Sequence, residues 1–199
     1  MPRNLSGEEV EAFRERLRAV AERQFAERGF DGVSLRSITD ELGCSRMTPY
    51  RYFRDKADIF AAVRTSAYLR FAAAQEKAAA EAGEPVGRLT ALGQAYYAFA
   101  LSQPNAYRLM FELSQPDADE HPELREAEAR AWAPIRDGID AAVEAGVLAG
   151  DVDVLAHSFW AGVHGIVSLH LAGKLVHGVS VDELAEPMLL QLFRGALPD

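Results

Sequence analysis

Residues 34–56, SLRSITDELGCSRMTPYRYFRDK, constrain the fold more than any other stretch of this chain. Ser34 is placed to cap a helix, because its hydroxyl oxygen can accept one of the backbone N–H groups that a first turn leaves unpaired. Leu35, Ile38 and Leu42 follow at spacings of three and four, which puts them on one apolar face. Gly43 ends that helix, since glycine enters the left-handed C′ conformation without a Cβ clash. Ser45 offers a second N-cap two residues later. Two short helices joined by so tight a turn are helix-turn-helix grammar.

In such a unit the second helix enters the DNA major groove and presents its N-terminal side chains to base edges. Here these are Arg46, Met47 and Thr48. Arg46 can bond guanine bidentately, and Thr48 and Met47 can meet a thymine methyl or a base edge. Pro49, at the fourth position, costs the earliest backbone bond and stiffens the start of the helix. Tyr50, Tyr52 and Lys56 are placed for phosphate contacts, which position the helix without reading sequence. Phe53 is expected in the core and Cys44 in the buried turn.

The net charge of −9 looks wrong for such a partner until it is divided. Residues 1–56 hold 11 Lys/Arg against 10 Asp/Glu, whereas residues 57–199 hold 10 against 20. The acidity therefore belongs to the remainder of the chain. DNA binding must rest on local placement of Arg36, Arg46, Arg51, Arg54 and Lys56 rather than on a strong overall field.

Nearly everything else reads helical, so the fold class is all-α with about nine helices. Ser6 and Glu9 form a capping-box pattern ahead of Val10, Phe13, Leu17, Val20 and Phe25. GFDG is a turn, and Asp55 caps a long fourth helix that runs toward Ala80. GEP breaks it at Gly83–Pro85. Further helices are expected over 86–102, from Pro104 to about Ser114, from Pro122 to Gly146, after Asp151, and after the Ser180–Glu183 capping box. Two domains result: residues 1–56 as the helix-turn-helix part and 57–199 as the rest, with the helix from 57 joining them.

One cysteine excludes an internal disulfide framework and fits a reducing compartment. The N-terminus MPRNLSGEEV lacks the apolar region of a signal peptide, so a cytoplasmic location is expected. From Val154 to Gly173 there is no Asp, Glu, Lys or Arg, a length that could nominally span a bilayer. Three histidines, two serines and three glycines make it a poor span, and a buried bundle helix is expected instead.

The order helix, GFDGVSLRSITDELGCS, MTPYRYF, RDK resembles the N-terminal DNA-binding domain of the TetR/AcrR family of transcriptional regulators, over about residues 10–60. Thr39 stands where that pattern has a small residue, and Pro49 where leucine is frequent. The resemblance implies a homodimer on a palindromic double-stranded operator, with Arg36, Arg46, Met47, Thr48, Tyr50, Tyr52 and Lys56 as DNA contacts. More weakly, PNAYRLMFEL and FWAGVHGIVSLHLAGKL resemble the regulatory domain named for a Trp-His-Gly pattern, here Trp160, His164 and Gly165. In the family the last two helices of each subunit form a four-helix bundle. That places Ala161, Gly165, Leu169, Leu189, Leu192 and Phe193 at the dimer interface.

The resemblance also implies a pocket for a small apolar or aromatic effector. Tyr96, Tyr97, Phe99, Tyr107, Met110, Phe111, Trp132, Phe159 and His164 are its candidate lining, although aromatic residues at helical spacing also serve as ordinary core. His157, His164 and His170 are seven and six residues apart, not the i, i+4 pair that converges on one metal. No metal, cofactor or catalytic residue is expected. Two rivals remain: a small helical enzyme using His164 with a carboxylate, and a helix-turn-helix module that binds protein. The regulator, more specifically a ligand-responsive repressor, is the leading expectation.

Overall fold

The computed structural model describes residues 7–111 and 121–198, and among these there are eight α-helices and no strand. In chain order they are α1 (Gly7–Arg28), α2 (Leu35–Leu42), α3 (Lys56–Glu81), α4 (Pro85–Ser102), α5 (Pro104–Phe111), α6 (Pro122–Glu144), α7 (Val152–Leu171) and α8 (Val181–Gly195). The ninth expected helix, after Gly43, is instead a turn followed by a single 3-10 turn at Pro49–Arg51. The Ser6 capping box and most of the polar loop before Pro122 lie outside the described residues.

Helix boundaries follow the local chemistry. Ser34 accepts the Ser37 N–H at 3.1 Å, and the Ser37 hydroxyl meets the Ser34 N–H in return, a capping box with serine at both ends. Gly43 sits at φ 63°, a left-handed conformation that stops α2. Asp55 accepts the Asp58 N–H at 2.9 Å, Asp151 caps α7 and Ser180 with Glu183 caps α8. Pro122 is the first residue of α6, where its missing N–H costs nothing.

By internal contacts the chain forms two compact units, and the division falls within α3 and α6 rather than at residue 56. The first unit is Met1–Tyr68 with Asn105–Glu128; the second is Leu69–Pro104 with Ala129–Asp199. The first half of α3 belongs to the first unit because Ile59, Phe60 and Val63 are buried in a core with Phe13, Leu17, Phe25, Val33 and Ile38. Each such side chain contributes on the order of 1.5–3 kcal/mol on burial. The ring of Phe60 meets Phe25 edge-on at 4.8 Å and Phe30 at 5.1 Å. Leu109 of α5 joins this core, and Tyr68 donates to the Met110 carbonyl at 2.9 Å. Arg64, 4% exposed, meets Glu128 at 2.8 Å. Burial first, and then the charge of Glu128, push the Tyr68 phenol up to about 12.

The second unit has its own core of Leu89, Leu92, Ile139, Leu148, Ala156 and Phe159. Phe71 is held between the rings of Tyr96 and Phe99, each 5.2 Å away. Tyr97 links α4 to the first turn of α8 through Asp182. The apolar helix α7 differs from expectation: it is long and apolar enough to cross a membrane by length and composition, yet 22% of that stretch is buried. Val154, Ser158, Ala161 and Leu169 face outward. The helix buries one face against α4 and α8 and leaves a mixed one open, where Val154, Ala161 and Leu169 stand beside Asp153, His157, Ser158 and His170.

Candidate nucleic-acid interface

After Gly43 the backbone has one route into the recognition segment. Gly43 donates to the Asp40 carbonyl and Cys44 to that of Thr39, which satisfies the last carbonyls of α2. The Ser45 hydroxyl receives the Met47 N–H at 3.3 Å, and the Ser45 carbonyl receives the Thr48 N–H at 2.8 Å. An α-helix would carry an N–H from residue 49 to that carbonyl, but proline has none. Tightening to three-residue bonds is the result, which explains the 3-10 turn in place of a helix.

The outcome is a compact tip. Pro49 is buried and anchors it, while Arg46, Met47, Tyr50 and Arg51 are exposed. Met47 is 68% and Tyr50 50% accessible, unusual for large apolar bodies without a partner. Thr48 is half-buried. On α2, Arg36 is exposed and within 3.4 Å of Asp40, a pair that solvent screens heavily. Thr39 fits where a small residue is usual because it is fully buried with its hydroxyl donated to the Arg36 carbonyl at 3.0 Å.

Tyr52 and Lys56 are tied inward. The Tyr52 ring lies 5.5 Å from that of Phe13, with the Arg14 guanidinium 5.5 Å from its centroid. The Lys56 ammonium donates to the carbonyls of Phe30 (2.8 Å) and Val33 (3.0 Å) and lies 4.1 Å from the centre of the Phe30 ring. Phe53 and Cys44 both pack against the first core, partly buried. Asp58 accepts the Arg54 N–H at 3.0 Å. Partial burial opposes ionisation there, but the Arg54 amide and guanidinium hold the carboxyl below the usual range.

A polar lock between α1 and α2 escaped the sequence reading. Gln24, 2% exposed, donates to Glu41 at 2.8 Å and to the Ser37 carbonyl at 3.1 Å, and it accepts the Ser37 hydroxyl at 2.7 Å. Arg23 completes it on Glu41. Hydrogen bonds from Gln24 and then Arg23 hold the Glu41 carboxyl below its ordinary value. The signal was present: Gln24 stands on the face that otherwise carries Leu17, Ala21 and Phe25.

The candidate effector residues are distributed over both units. Tyr107, Met110 and Phe111 belong to the first, and Tyr96, Tyr97, Phe99, Trp132, Phe159 and His164 to the second. Tyr96, Phe99 and Phe159 are buried. His164 Nδ1 is 2.9 Å from the Tyr96 hydroxyl and Nε2 is 3.2 Å from that of Ser168, while burial lowers its pKa. Trp132 packs on His157 at 4.6 Å and edge-on to Trp160 at 5.9 Å. His157 bonds the Asp153 carbonyl, so the histidines of α7 do not converge. A narrow apolar crevice of about 20 Å³ is lined by Gly93, Tyr97, Val163 and Met188 among others.

Among the candidate interface residues, Ala161 and Leu169 are exposed and Gly165 has open space about its Cα. Leu189, Leu192 and Phe193 instead pack against the second unit's own core, leaving partly exposed edges. The outward residues of α8 include Leu190 and Arg194. Helical periodicity gave the spacing of this apolar face and not the direction in which it points.

A helix-turn-helix tip with an exposed arginine, methionine and tyrosine, joined to a second all-helical unit, defines a DNA-binding transcriptional regulator. Comparison with known proteins agrees. Residues 17–63 match the bacterial regulatory proteins of the tetR family, and residues 89–192 match the tetracyclin repressor-like C-terminal domain. The chain belongs to the TetR family. No curated protein matches it significantly in sequence. Among solved structures it is similar to a protein of unknown function from Rhodococcus sp. RHA1, at 30% identity over 100% of both chains and a TM-score of 0.79. A TetR family transcription regulator from Marinobacter aquaeolei VT8 shares the fold at 19% identity (98% and 100% covered, TM-score 0.79). So does the regulator FadR from Bacillus subtilis, solved in complex with stearoyl-CoA, at 16% identity (91% and 98% covered, TM-score 0.78).

Proposed function

We propose that this regulator is a cytoplasmic, effector-responsive repressor that acts as a homodimer on a palindromic operator and carries no catalytic activity. The tip that exposes Arg46, Met47 and Tyr50, with Thr48 half-buried between them, is the observation that carries the DNA-reading part. Arg46 reads a guanine edge, Met47 and Thr48 make apolar or base-edge contacts, and Arg36, Tyr50 and Tyr52 line the phosphate side, with Lys56 beside them at the start of α3. Residues 1–56 read DNA, and 57–199 bind effector and partner subunit.

The open face of α7 supports the homodimer. Ala161, Gly165 and Leu169 would meet their copies, with the exposed edges of Leu189, Leu192 and Phe193 beside them. The Trp160, His164 and Gly165 pattern supports assignment to the Trp-His-Gly branch. An apolar or aromatic effector is supported by the aromatic content of the candidate lining, and the FadR structure contains a long acyl chain. Linkage supplies the mechanism: an effector that prefers the conformation with badly spaced recognition tips weakens DNA binding by the factor with which DNA weakens effector binding.

Selection of duplexes from a random pool identifies the operator, and release of the winning duplex screens effectors. Arg46→Ala and Tyr50→Ala should each reduce operator affinity by about 1–3 kcal/mol while the oligomeric state is kept. Unchanged affinity in both variants removes the assignment of this tip to DNA.

A further inference from the structure

The side chain of Lys56 already has partners within its own chain, and they bear on how the DNA-binding unit holds its shape. It is the first residue of α3, and its ammonium spans back to Phe30 and Val33, the residues that bracket the turn between α1 and α2. An ammonium has three donors. Two are directed at carbonyl oxygens, and the Phe30 ring lies against the same cation.

The turn that receives it is tightly wound. Gly29 sits at φ 71°, and a Cβ on Gly32 would stand 2.3 Å from the Arg28 carbonyl oxygen, so the backbone has no slack there. Val33 immediately precedes Ser34, the cap of α2. Lys56 therefore ties the start of α2 to the start of α3, and the recognition tip is the segment suspended between these two helices. Fixing both supports fixes the direction in which Arg46, Met47 and Tyr50 point.

We infer that Lys56 is a positioning residue for operator recognition: by closing the α1–α2 turn it sets the orientation of the tip, and this outweighs any counter-charge it offers to a phosphate. The inference rests on the DNA-reading role of that tip. It also separates two effects that a lysine at a DNA-binding surface normally merges. A phosphate contact strengthens binding to every duplex and steepens its salt dependence, by a slope of about 0.9 per phosphate neutralised. A positioning contact strengthens binding to the correct sequence and leaves the salt slope alone.

The test uses the full-length protein, its selected operator and a random duplex of equal length, with anisotropy titrations across a series of salt concentrations. Circular dichroism verifies that each variant is folded at the measuring temperature. Lys56→Met removes the charge and Lys56→Arg keeps it on a head too wide for the two carbonyls. Both should lower operator affinity about tenfold, keep random-duplex affinity within about twofold and preserve the salt slope. Phe30→Leu, which leaves the charge and removes the ring beneath it, should shift the ratio of specific to random binding in the same direction. It supplies the decision if Lys56→Met does not fold. A slope reduced by about 0.9 in Lys56→Met, with Lys56→Arg behaving as wild type, would overturn the inference. So would an unaltered ratio of operator to random-duplex affinity in every folded variant. Wild-type protein that prefers no duplex would instead defeat the DNA-reading assignment itself, a separately visible result.

Discussion

At the scale of single residues, two glycines that look alike in sequence have different roles. At Gly32 an added Cβ would meet backbone, 2.3 Å from the Arg28 carbonyl oxygen. At Gly162 it would meet the ends of flexible side chains, Leu192 Cδ1 and Met188 Sδ, each at 2.8 Å. Gly32→Ala should therefore lower stability by about 1–3 kcal/mol and Gly162→Ala by less, as read from urea midpoints. His164 gives a second prediction. Burial lowers its pKa below the ordinary 6.5, so the unfolded chain binds the proton more readily than the folded one. Its contribution is then fully present above the unfolded value of about 6.5 and is lost as pH falls from there through the lower folded value. Urea midpoints measured between pH 8 and 5 should fall less steeply in His164→Gln than in wild type. The turn that ends at Gly32 was legible in the sequence because its neighbour Arg28 is only four residues away, whereas the Tyr96–His164 contact was not, because the fold brings together residues far apart in the chain.

At the scale of elements, caps and stops were the legible part. Ser34, Gly43, Asp151 and Ser180 act through neighbours in the chain, so local chemistry decides them. The sequence predicts a helix for the recognition segment because Ser45 can cap it and Pro49, at the fourth position, costs only the earliest backbone bond. The absent N–H then decided the outcome, since Ser45 found its donor at Thr48 instead. Pro49→Ala restores that donor. It should extend helical structure into residues 46–52 and alter base preference, seen as a different winner in a repeated duplex selection with the fold intact. An unchanged winner would mean that the proline has no part in selectivity. The apolar stripe of α8 was also visible, and Leu189, Leu192 and Phe193 pack partly against the second unit's own core while keeping exposed edges. A period fixes a stripe on a helix, and only packing fixes what it faces.

At the scale of the whole molecule, the charge division anticipated a modestly basic reader on an acidic chain, but the boundary between compact units was not visible. Compact units follow side-chain contacts, and Ile59, Phe60, Val63 and Leu109 contribute to a core begun about forty residues or more earlier at Phe13 and Leu17. The proposed homodimer supplies the molecular-scale prediction. Gly165 has room for a side chain within its own subunit, so Gly165→Leu should fold normally. Across a helix pair the same leucine would hold the backbones apart. Sedimentation should then show a monomer, and operator affinity should fall with it, whereas an intact dimer would remove α7 from the interface.

The uncovered face of α7 has a kinetic and regulatory side as well. As the proposed homodimer, the protein would cover this face of α7, a helix with 22% of its apolar stretch buried within one subunit. Its thermal midpoint should rise with protein concentration, since association withdraws the folded form from equilibrium. Where subunits are scarce and mostly separate, the species able to hold two half-sites grows with the square of their number. If the protein acts as the proposed homodimeric repressor, halving its cellular amount would cut repression about fourfold at low occupancy, and its synthesis rate would be a control input beside the proposed effector.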